Sequence, residues 1–287
     1  MKSLIVLFGV AAASLSAVLA RWSTAPSMIL VFYRMCFAVL MLLPVVLLRH
    51  RDEVKKLTWH KIWPCLISGV FLGLHFTTYF QSLHMTSMSS AVVLVNTEAL
   101  FVAVGSVLVL HKKLTKRGII ALLLAFGGSV VVATTGSSGG QEMLSGDLLA
   151  LAGAFCIAVY TMIGTVCLRQ MSTMVYTTMV YAAAGVTVLG IALVSGTPVF
   201  GYEPINFLTA LGMAVFCTLL GHNIFSWGLK YLAPPFIATL KLAEPIFATI
   251  WGLLFFHETP GVWELIGGAV IIGGIALYSS SDTEARI

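Results

Sequence analysis

Charged side chains are scarce in this sequence. Only 9% of its 287 residues are charged, whereas 59% are apolar, and soluble domains carry about 25% charged residues. A water-soluble globule of this size could not cover its surface with so few charges. The composition therefore indicates a protein embedded in lipid, where each spanning helix needs about 20 mostly apolar residues.

The sequence also lacks the signatures of cofactor-dependent enzymes. It has no phosphate-binding glycine loop followed by Lys-Ser/Thr, no HExxH motif and no recognisable Ser/His/Asp set. The net charge of +5 does not indicate nucleic-acid binding, because no basic face recurs. The cysteines lie inside apolar runs at spacings that fit neither disulfides nor zinc. We expect no enzymatic activity, cofactor, metal or nucleic-acid partner.

Ten apolar runs are long enough to span a membrane. In each run the apolar residues would cover the whole circumference of a helix instead of one stripe along it, which is typical of helices embedded in lipid. We expect an all-α membrane protein with two five-helix units, residues 1–134 and 148–287, joined by an extracytoplasmic linker at residues 135–147. The runs are 3–20, 28–48, 62–80, 88–110, 118–134, 148–168, 174–194, 207–228, 235–256 and 262–278.

The first run has an alternative interpretation as a cleavable signal peptide. Lys2 precedes an apolar stretch that ends in Val18-Leu19-Ala20, a pattern shared with secretory signals. Its removal would leave an odd number of spans and take one helix from the first unit. We therefore interpret this run as the first span.

Basic residues in the connections predict the orientation. If ten spans alternate, thirteen Lys and Arg residues lie on the side of the N-terminus and only Arg21 lies on the other side. Cytoplasmic loops are rich in Lys and Arg, so we expect both termini in the cytoplasm and the protein in a bacterial cytoplasmic membrane. The thirteen are Lys2, Arg49, Arg51, Lys55, Lys56, Lys61, Lys112, Lys113, Lys116, Arg117, Arg169, Lys230 and Arg286.

A shift of 146 positions aligns the fourth and fifth runs with the ninth and tenth. Because each half contains an odd number of helices, the two halves must run in opposite directions through the membrane. Inverted repeats of this kind are the architecture of alternating access. The matched positions are Glu98 with Glu244, Phe101 with Phe247, His111 with His257, and Gly127-Gly128 with Gly273-Gly274.

Several motifs are shared with a known transporter family. They are Phe32-Tyr33-Arg34 in the second run, the Glu244-Pro245 step in the ninth and the Gly-Gly pair that closes each half. With these features the chain resembles the EamA-type branch of the drug/metabolite transporter superfamily. The resemblance implies ten helices around a central cavity and, in most members, export of amino acids or related metabolites. One departure is Glu98-Ala99, where a Pro step is more usual, so we expect the two halves to bend differently.

Four ionisable side chains lie inside predicted spans: Arg34, Glu98, Lys241 and Glu244. Each costs roughly 2.5 to 3.5 kcal/mol at the bilayer centre, so each must face protein or water. Glu98 and Glu244 lie near the middle of their helices, close to where inverted-repeat transporters place their site. Lys241 lies three residues before Glu244 and shares its helical face.

These four charges have two interpretations. They could neutralise one another in two buried ion pairs that only fix helix packing. Alternatively, they line a cavity. A carboxylate there would bind a substrate ammonium or carry protons, because loss of hydration favours its protonated form. Lys241 or Arg34 would hold a substrate carboxylate, and the two signs of charge together would suit an amino acid.

Five further residues are candidates for substrate contact: His75, Tyr79, Asn96, His222 and Trp227. Each has a structural alternative. Asn96 could bridge helices, since it lies two residues from Glu98 and points elsewhere. A lone His in a membrane more often bonds a neighbouring helix than relays protons. Aromatic residues such as Tyr79 and Trp227 are ordinary near helix ends.

The leading hypothesis is a secondary transporter that exports amino acids or similar small polar metabolites in exchange for protons, through Glu98 or Glu244. Its partners would be the small-molecule substrate, protons and membrane lipids. One alternative is a multidrug efflux transporter for lipophilic cations. Another is a membrane protein that does not transport, either a scaffold or an intramembrane enzyme.

Overall fold

The computed structural model describes residues 1–86, 88–135 and 144–280, and no strand occurs within them. In these residues, ten helices are long and apolar enough to cross a membrane. This confirms the expected all-α fold of a ten-span membrane protein. The spans are α1 (Lys2–Arg21), α2 (Ser27–Arg49), α3 (Trp59–Ser82), α4 (Ser90–Leu108), α5 (Lys116–Thr134), α6 (Leu144–Cys167), α7 (Thr173–Val194), α8 (Pro204–Gly228), α9 (Pro234–Phe256) and α10 (Val262–Ser279).

The observed ends of the spans lie within about four residues of the predicted ends, which is the usual error of boundaries read from sequence. The largest difference is at α6, which begins at Leu144, inside the predicted linker of residues 135–147. Asp147 lies in its first turn, where a carboxylate is favourable, and accepts a hydrogen bond from Thr86 Oγ1 at 2.7 Å. Residues 136–143, with Glu142, and the C-terminal Arg286 lie outside the described residues.

The first apolar run packs into the bundle as α1. Val6 and Val10 are fully buried in the main core. Trp251 of α9 donates from Nε1 to the Ala11 carbonyl at 3.1 Å and to Ser14 Oγ at 2.9 Å. Helix α1 therefore serves as a structural partner of α9 in the folded protein.

The repeat-related helices α4 and α9 are both interrupted immediately before a glutamate. At Thr97 the backbone amide donates to Leu94, three residues earlier, instead of four. Ala243, the position 146 residues later, donates in the same way to Leu240. The resulting segments are Met88–Asn96 and Glu98–Leu108 in α4, and Pro234–Lys241 and Glu244–Phe256 in α9.

The shared interruption bears on the expectation that the two halves bend differently, but it concerns only the position of the bend. The lack of a proline after Glu98 does not move the interruption in α4, because both helices break before the glutamate. Pro245 lies in the first turn of the second α9 segment, where its missing N–H would have no helical partner in any case. The two halves therefore share the position of their bend.

The ends of α4 and α9 repeat the same backbone geometry. Within the described residues, His111 (φ 52°) and His257 (φ 55°) are the only non-glycine residues with positive φ, a conformation that is uncommon for side chains with a Cβ. The next residue donates across six residues in both cases, from Lys112 to Ser106 at 2.9 Å and from Glu258 to Gly252 at 3.2 Å. A left-handed residue followed by this bond across six residues occurs at the end of both helices, and the duplication therefore extends to the backbone.

Helices α5 and α10 pack through small residues about the axis that relates the two halves. A Cβ added to Gly128 would lie 2.7 Å from the Gly267 carbonyl oxygen. A Cβ added to Gly274 would lie 2.8 Å from the Ala121 carbonyl oxygen. The 146-residue shift converts the first contact into the second, so the same close approach occurs twice.

This packing predicts that the two glycines of each Gly-Gly pair differ in their tolerance of alanine. Gly128→Ala and Gly274→Ala should each lower the free energy of unfolding by about 1–3 kcal/mol, since the new methyl group meets backbone atoms. Gly127→Ala and Gly273→Ala should be neutral, because no neighbouring atom lies within 4 Å of the added Cβ. Thermal unfolding of the purified variants in detergent measures the difference, and equal effects within a pair would contradict the packing described.

Candidate functional site

An ion pair joins the two interrupted helices in the middle of the bundle. Lys241 ends the first segment of α9, and Glu98 begins the second segment of α4. Lys241 Nζ lies 2.7 Å from Glu98 Oε1 and 2.6 Å from Oε2. The side chains are only 17% and 12% exposed, so this is a mostly buried, charge-assisted interaction between the two halves.

The Glu244 carboxylate has no hydrogen bond or ion pair with any described residue. Lys241 reaches across to Glu98 because the helix is interrupted between Lys241 and Glu244. Glu244 nevertheless interacts electrostatically with Lys241, Glu98 and Arg34. Of the two ion pairs that charge balance would require, the described residues therefore form one.

Both glutamates begin a helix segment. Aligned peptide dipoles place partial positive charge at such an end, which favours a nearby carboxylate. Discontinuous helices whose ends face a central site are common in transporters with inverted repeats. The sequence placed the two acids correctly in their helices but did not reveal that each occupies a helix start.

Arg34 forms no ion pair with a carboxylate of the described residues, and it contacts an uncharged side chain and an aromatic ring instead. Its side chain is 3% exposed, its Nε donates to Thr218 Oγ1 at 2.6 Å, and its guanidinium lies 4.8 Å from the centre of the Phe76 ring. Its Nη2 is buried with no hydrogen-bond partner among the described residues. Thr218 lies in a π-helical stretch of α8, Met213–His222, a rare geometry that often occurs at functional sites.

The two candidate histidines lie beside these charges. His75 Nδ1 lies 2.9 Å from the Gly153 carbonyl oxygen, which is the helix-bridging role expected of a lone membrane histidine. The His222 ring contacts Phe76 and Phe225, with centroid distances of 5.6 and 5.7 Å. Both histidines interact electrostatically with Arg34 and Lys241.

The other three candidates, Tyr79, Asn96 and Trp227, do not form one group. Tyr79 stacks on His75 at 6.1 Å and interacts electrostatically with Glu244. Asn96 has a buried Nδ2 without a hydrogen-bond partner in the described part of the chain. Trp227 packs against Tyr231 at 4.9 Å, and Lys2 covers the same tyrosine. Trp227 therefore lies at the end of the bundle where the N-terminus lies.

A small cavity lies beside the Glu98–Lys241 pair. It has about 10 Å³ of space for the centre of a water molecule, enough for about one water. Tyr160 and Ser226 line it and share a hydrogen bond of 3.0 Å. Neither was predicted, because a hydroxyl inside an apolar run gives no signal in the sequence pattern. The full lining is Glu98, Tyr160, Thr161, His222, Phe225, Ser226, Leu229, Ile237, Ala238 and Lys241.

Hydrogen bonds join the two halves at both ends of the bundle. At the end with the N-terminus, Glu53 Oε1 accepts from the Ser172 amide at 2.6 Å. Burial raises the pKa of the Glu53 carboxyl, but hydrogen bonds from Ser172 and His50 outweigh burial and hold this pKa below its usual value. At the other end, Asn206 Oδ1 accepts from the Thr24 amide at 2.8 Å. The two halves are thus linked at both ends of the bundle in this structure.

Comparison with known proteins identifies similar transporters. A model of the EamA-like transporter family matches residues 1–134 and 144–280. The chain is 26% identical to an uncharacterized transporter of Archaeoglobus fulgidus over 228 residues, 78% of this chain and 77% of the relative. It is 23% identical to the pseudopaline exporter CntI of Pseudomonas aeruginosa over 266 residues, 91% of this chain and 88% of the relative.

A solved crystal structure shares the fold. It superposes with a TM-score of 0.82 at 19% sequence identity, and the match covers 97% of this chain and 96% of that chain. Together with the family match, these similarities indicate a multi-pass membrane transporter with a small-molecule substrate, not an enzyme.

The ion pair predicts that the two acids differ in their effect on stability. Lys241→Met should cost about 3–5 kcal/mol, because it leaves Glu98 buried and unpaired. The Glu98→Gln/Lys241→Met double variant should recover much of this loss. Glu244→Gln should be neutral or stabilising, since no partner is lost. Equilibrium unfolding of Lys241→Met, Glu98→Gln, the double variant and Glu244→Gln, each compared with wild type, measures these effects. Additive losses in the double variant would show that Lys241 and Glu98 are not coupled.

Proposed function

We propose that this chain, which belongs to the EamA-like transporter family, is a secondary transporter that exports amino acids or similar small polar metabolites in exchange for protons. The proposal rests mainly on the group of positive and negative charges at the interruptions of α4 and α9. Glu98 forms an ion pair with Lys241, whereas Glu244 forms none with any described residue. The sequence has no nucleotide-binding motif. Transport against a gradient would therefore draw on an ion gradient.

Alternating access follows from the relation between the halves. The cavity accommodates about one water, so a solute enters only if the halves separate. Hydrogen bonds link the halves at both ends of the bundle, through Glu53 and Ser172 at one end and Thr24 and Asn206 at the other, and these links would have to break in turn. Because the halves are inverted copies, opening one end while the other stays closed gives two states of similar construction.

Glu244 is the better of the two proton carriers. Protonation of Glu98 would leave Lys241 buried without a counter-charge, which is costly. Protonation of Glu244 removes a charge that has no direct partner in the membrane interior. A solute that replaces the proton would supply positive charge to the Glu244 carboxylate, so solute and proton would compete for one group.

The direction and location are parts of the same proposal. Basic residues concentrate on the side of the N-terminus, which supports a cytoplasmic location for both termini in a bacterial inner membrane. A similar protein is named a pseudopaline exporter, and this name supports outward transport of a small metabolite.

The proton-exchange mechanism predicts a specific defect in Glu244→Gln. In proteoliposomes loaded with a pH-sensitive dye, the wild-type protein should move protons when an amino acid from a broad metabolite panel is added outside. Glu244→Gln should lose the proton movement, because a neutral amide has no proton to exchange. Its exchange of labelled solute for unlabelled solute should continue only at higher solute concentration, because the amide also pairs less strongly with the solute's positive charge.

Glu203→Gln is the matched control, because Glu203 lies exposed in the loop before α8. This variant should behave as wild type. Proton movement that persists in Glu244→Gln would contradict the assigned role. The absence of flux for every solute in the panel would favour a membrane protein that does not transport.

Aromatic rings around the charges favour one alternative, the export of lipophilic cations. A continuous series of ring contacts joins these residues: Tyr79, His75, Phe76, His222 and Phe225. Phe76 also contacts Arg34, and Phe225 contacts Lys241. Such rings attract cations. Arg34 and Lys241 oppose this alternative, because they place two positive charges in the same region.

The positive charges predict that tetraphenylphosphonium is not a substrate. It should neither raise the thermal stability of the purified protein nor inhibit amino-acid flux, even at about 1 mM, because Arg34 and Lys241 repel it. Stabilisation by tetraphenylphosphonium that grows in Lys241→Met would establish the cation-efflux alternative instead.

A further inference from the structure

Two buried hydrogen-bond donors on neighbouring helices lack a hydrogen-bond partner among the described residues: Arg34 Nη2 on α2 and the Tyr181 hydroxyl on α7. The two helices pack closely near these positions, since a Cβ added to Gly185 of α7 would lie 3.3 Å from Met35 Cβ of α2. The side chains are 3% and 0% exposed, and they interact electrostatically with each other. Buried polar groups are nearly always hydrogen-bonded, so two such exceptions in one region need a physical reason.

The surroundings of Arg34 orient it without neutralising it. Thr218 accepts from Nε, and Phe76 packs under the guanidinium plane. The Nη2 edge of the guanidinium can therefore donate to an acceptor on a bound molecule. A guanidinium edge matches a carboxylate in geometry and charge. Lys241, the other cation, is already occupied by both oxygens of Glu98.

Glu244 supplies the complementary charge at a distance. It interacts electrostatically with Arg34 but is not within ion-pair distance of it. A guanidinium edge and a carboxylate in the same region, neither of which forms an ion pair with a described residue, suit a molecule that carries both a carboxylate and an ammonium, as an α-amino acid does.

We propose that Arg34 and Tyr181 form the subsite for the carboxylate of the transported amino acid, and that Glu244 receives its ammonium. This inference rests on the proposed transport function and deepens it. It assigns the carboxylate to Arg34 instead of Lys241, and it adds Tyr181, which had not been a candidate.

The test compares each L-amino acid with its carboxamide. The purified protein is mixed with each compound, and ligand-induced thermal stabilisation is measured across a concentration series. The wild-type protein should bind at least one amino acid, and its affinity for the matched carboxamide should be lower by roughly tenfold or more, because the amide loses a charged hydrogen bond.

Tyr181→Phe separates a binding role from a structural role. Because the hydroxyl has no protein partner, its removal should leave the stability of the ligand-free protein unchanged or higher. The affinity for the amino acid should fall roughly tenfold, and the preference over the carboxamide should shrink. Arg34→Lys, which keeps the charge but loses the planar edge, should also reduce this preference.

Tyr176→Phe is the matched control, because this tyrosine is also fully buried on α7 but bonds Ser68 Oγ at 2.6 Å. It should lower the stability of the ligand-free protein and leave the preference for the amino acid unchanged. If Arg34→Lys fails to fold, the comparison of Tyr181→Phe with Tyr176→Phe still decides the question.

Four outcomes would overturn the inference. Equal binding of amino acids and carboxamides would remove the carboxylate subsite. An unchanged preference in Tyr181→Phe would indicate that an internal water satisfies the two donors. Flux of other solutes in proteoliposomes without binding of any amino acid would reject the substrate class but keep the transport function, whereas no flux at all would reject both.

Discussion

The free-energy cost of placing a charged side chain inside a membrane is the main constraint on the centre of this protein. Ionisable side chains in the apolar interior must find partners, water or a ligand, and the structure satisfies this requirement only in part. Lys241 and Glu98 neutralise each other across the two halves. Arg34 and Glu244 interact at a distance, but neither forms an ion pair with a described residue. The proposed solute site consists of the groups that folding leaves unpaired.

The inverted duplication places Glu98 and Glu244 at equivalent positions in the two halves, but the basic residues are not duplicated. The halves share the interruption before Glu98 and Glu244, the positive φ of His111 and His257, and the close contacts of α5 with α10. Position 95, which corresponds to Lys241, is a valine. Only one acid can therefore be held by a lysine of the partner helix, and two equivalent carboxylates acquire different surroundings.

Much of the architecture could be predicted from the sequence because hydrophobic length is a strong signal in membrane proteins. The ten spans, the repeat and the family resemblance all come from patterns of this kind, and the family match confirms the resemblance. The interruption at Thr97 could not be predicted, because no proline or glycine marks it. Neither the π-helix around Thr218 nor the Tyr181 hydroxyl, which has no hydrogen-bond partner among the described residues, could be predicted either. Both depend on contacts between helices, and such contacts produce no periodic pattern in the sequence.

The central claim is that Glu244, not Glu98, changes its protonation when solute binds. Infrared difference spectroscopy of the reconstituted protein, with and without a bound amino acid, detects the carbonyl band of a protonated carboxyl group directly. The account predicts that solute removes one such band, that the change is absent in Glu244→Gln, and that it persists in Glu98→Gln. A change that disappears with Glu98→Gln and persists in Glu244→Gln would contradict it.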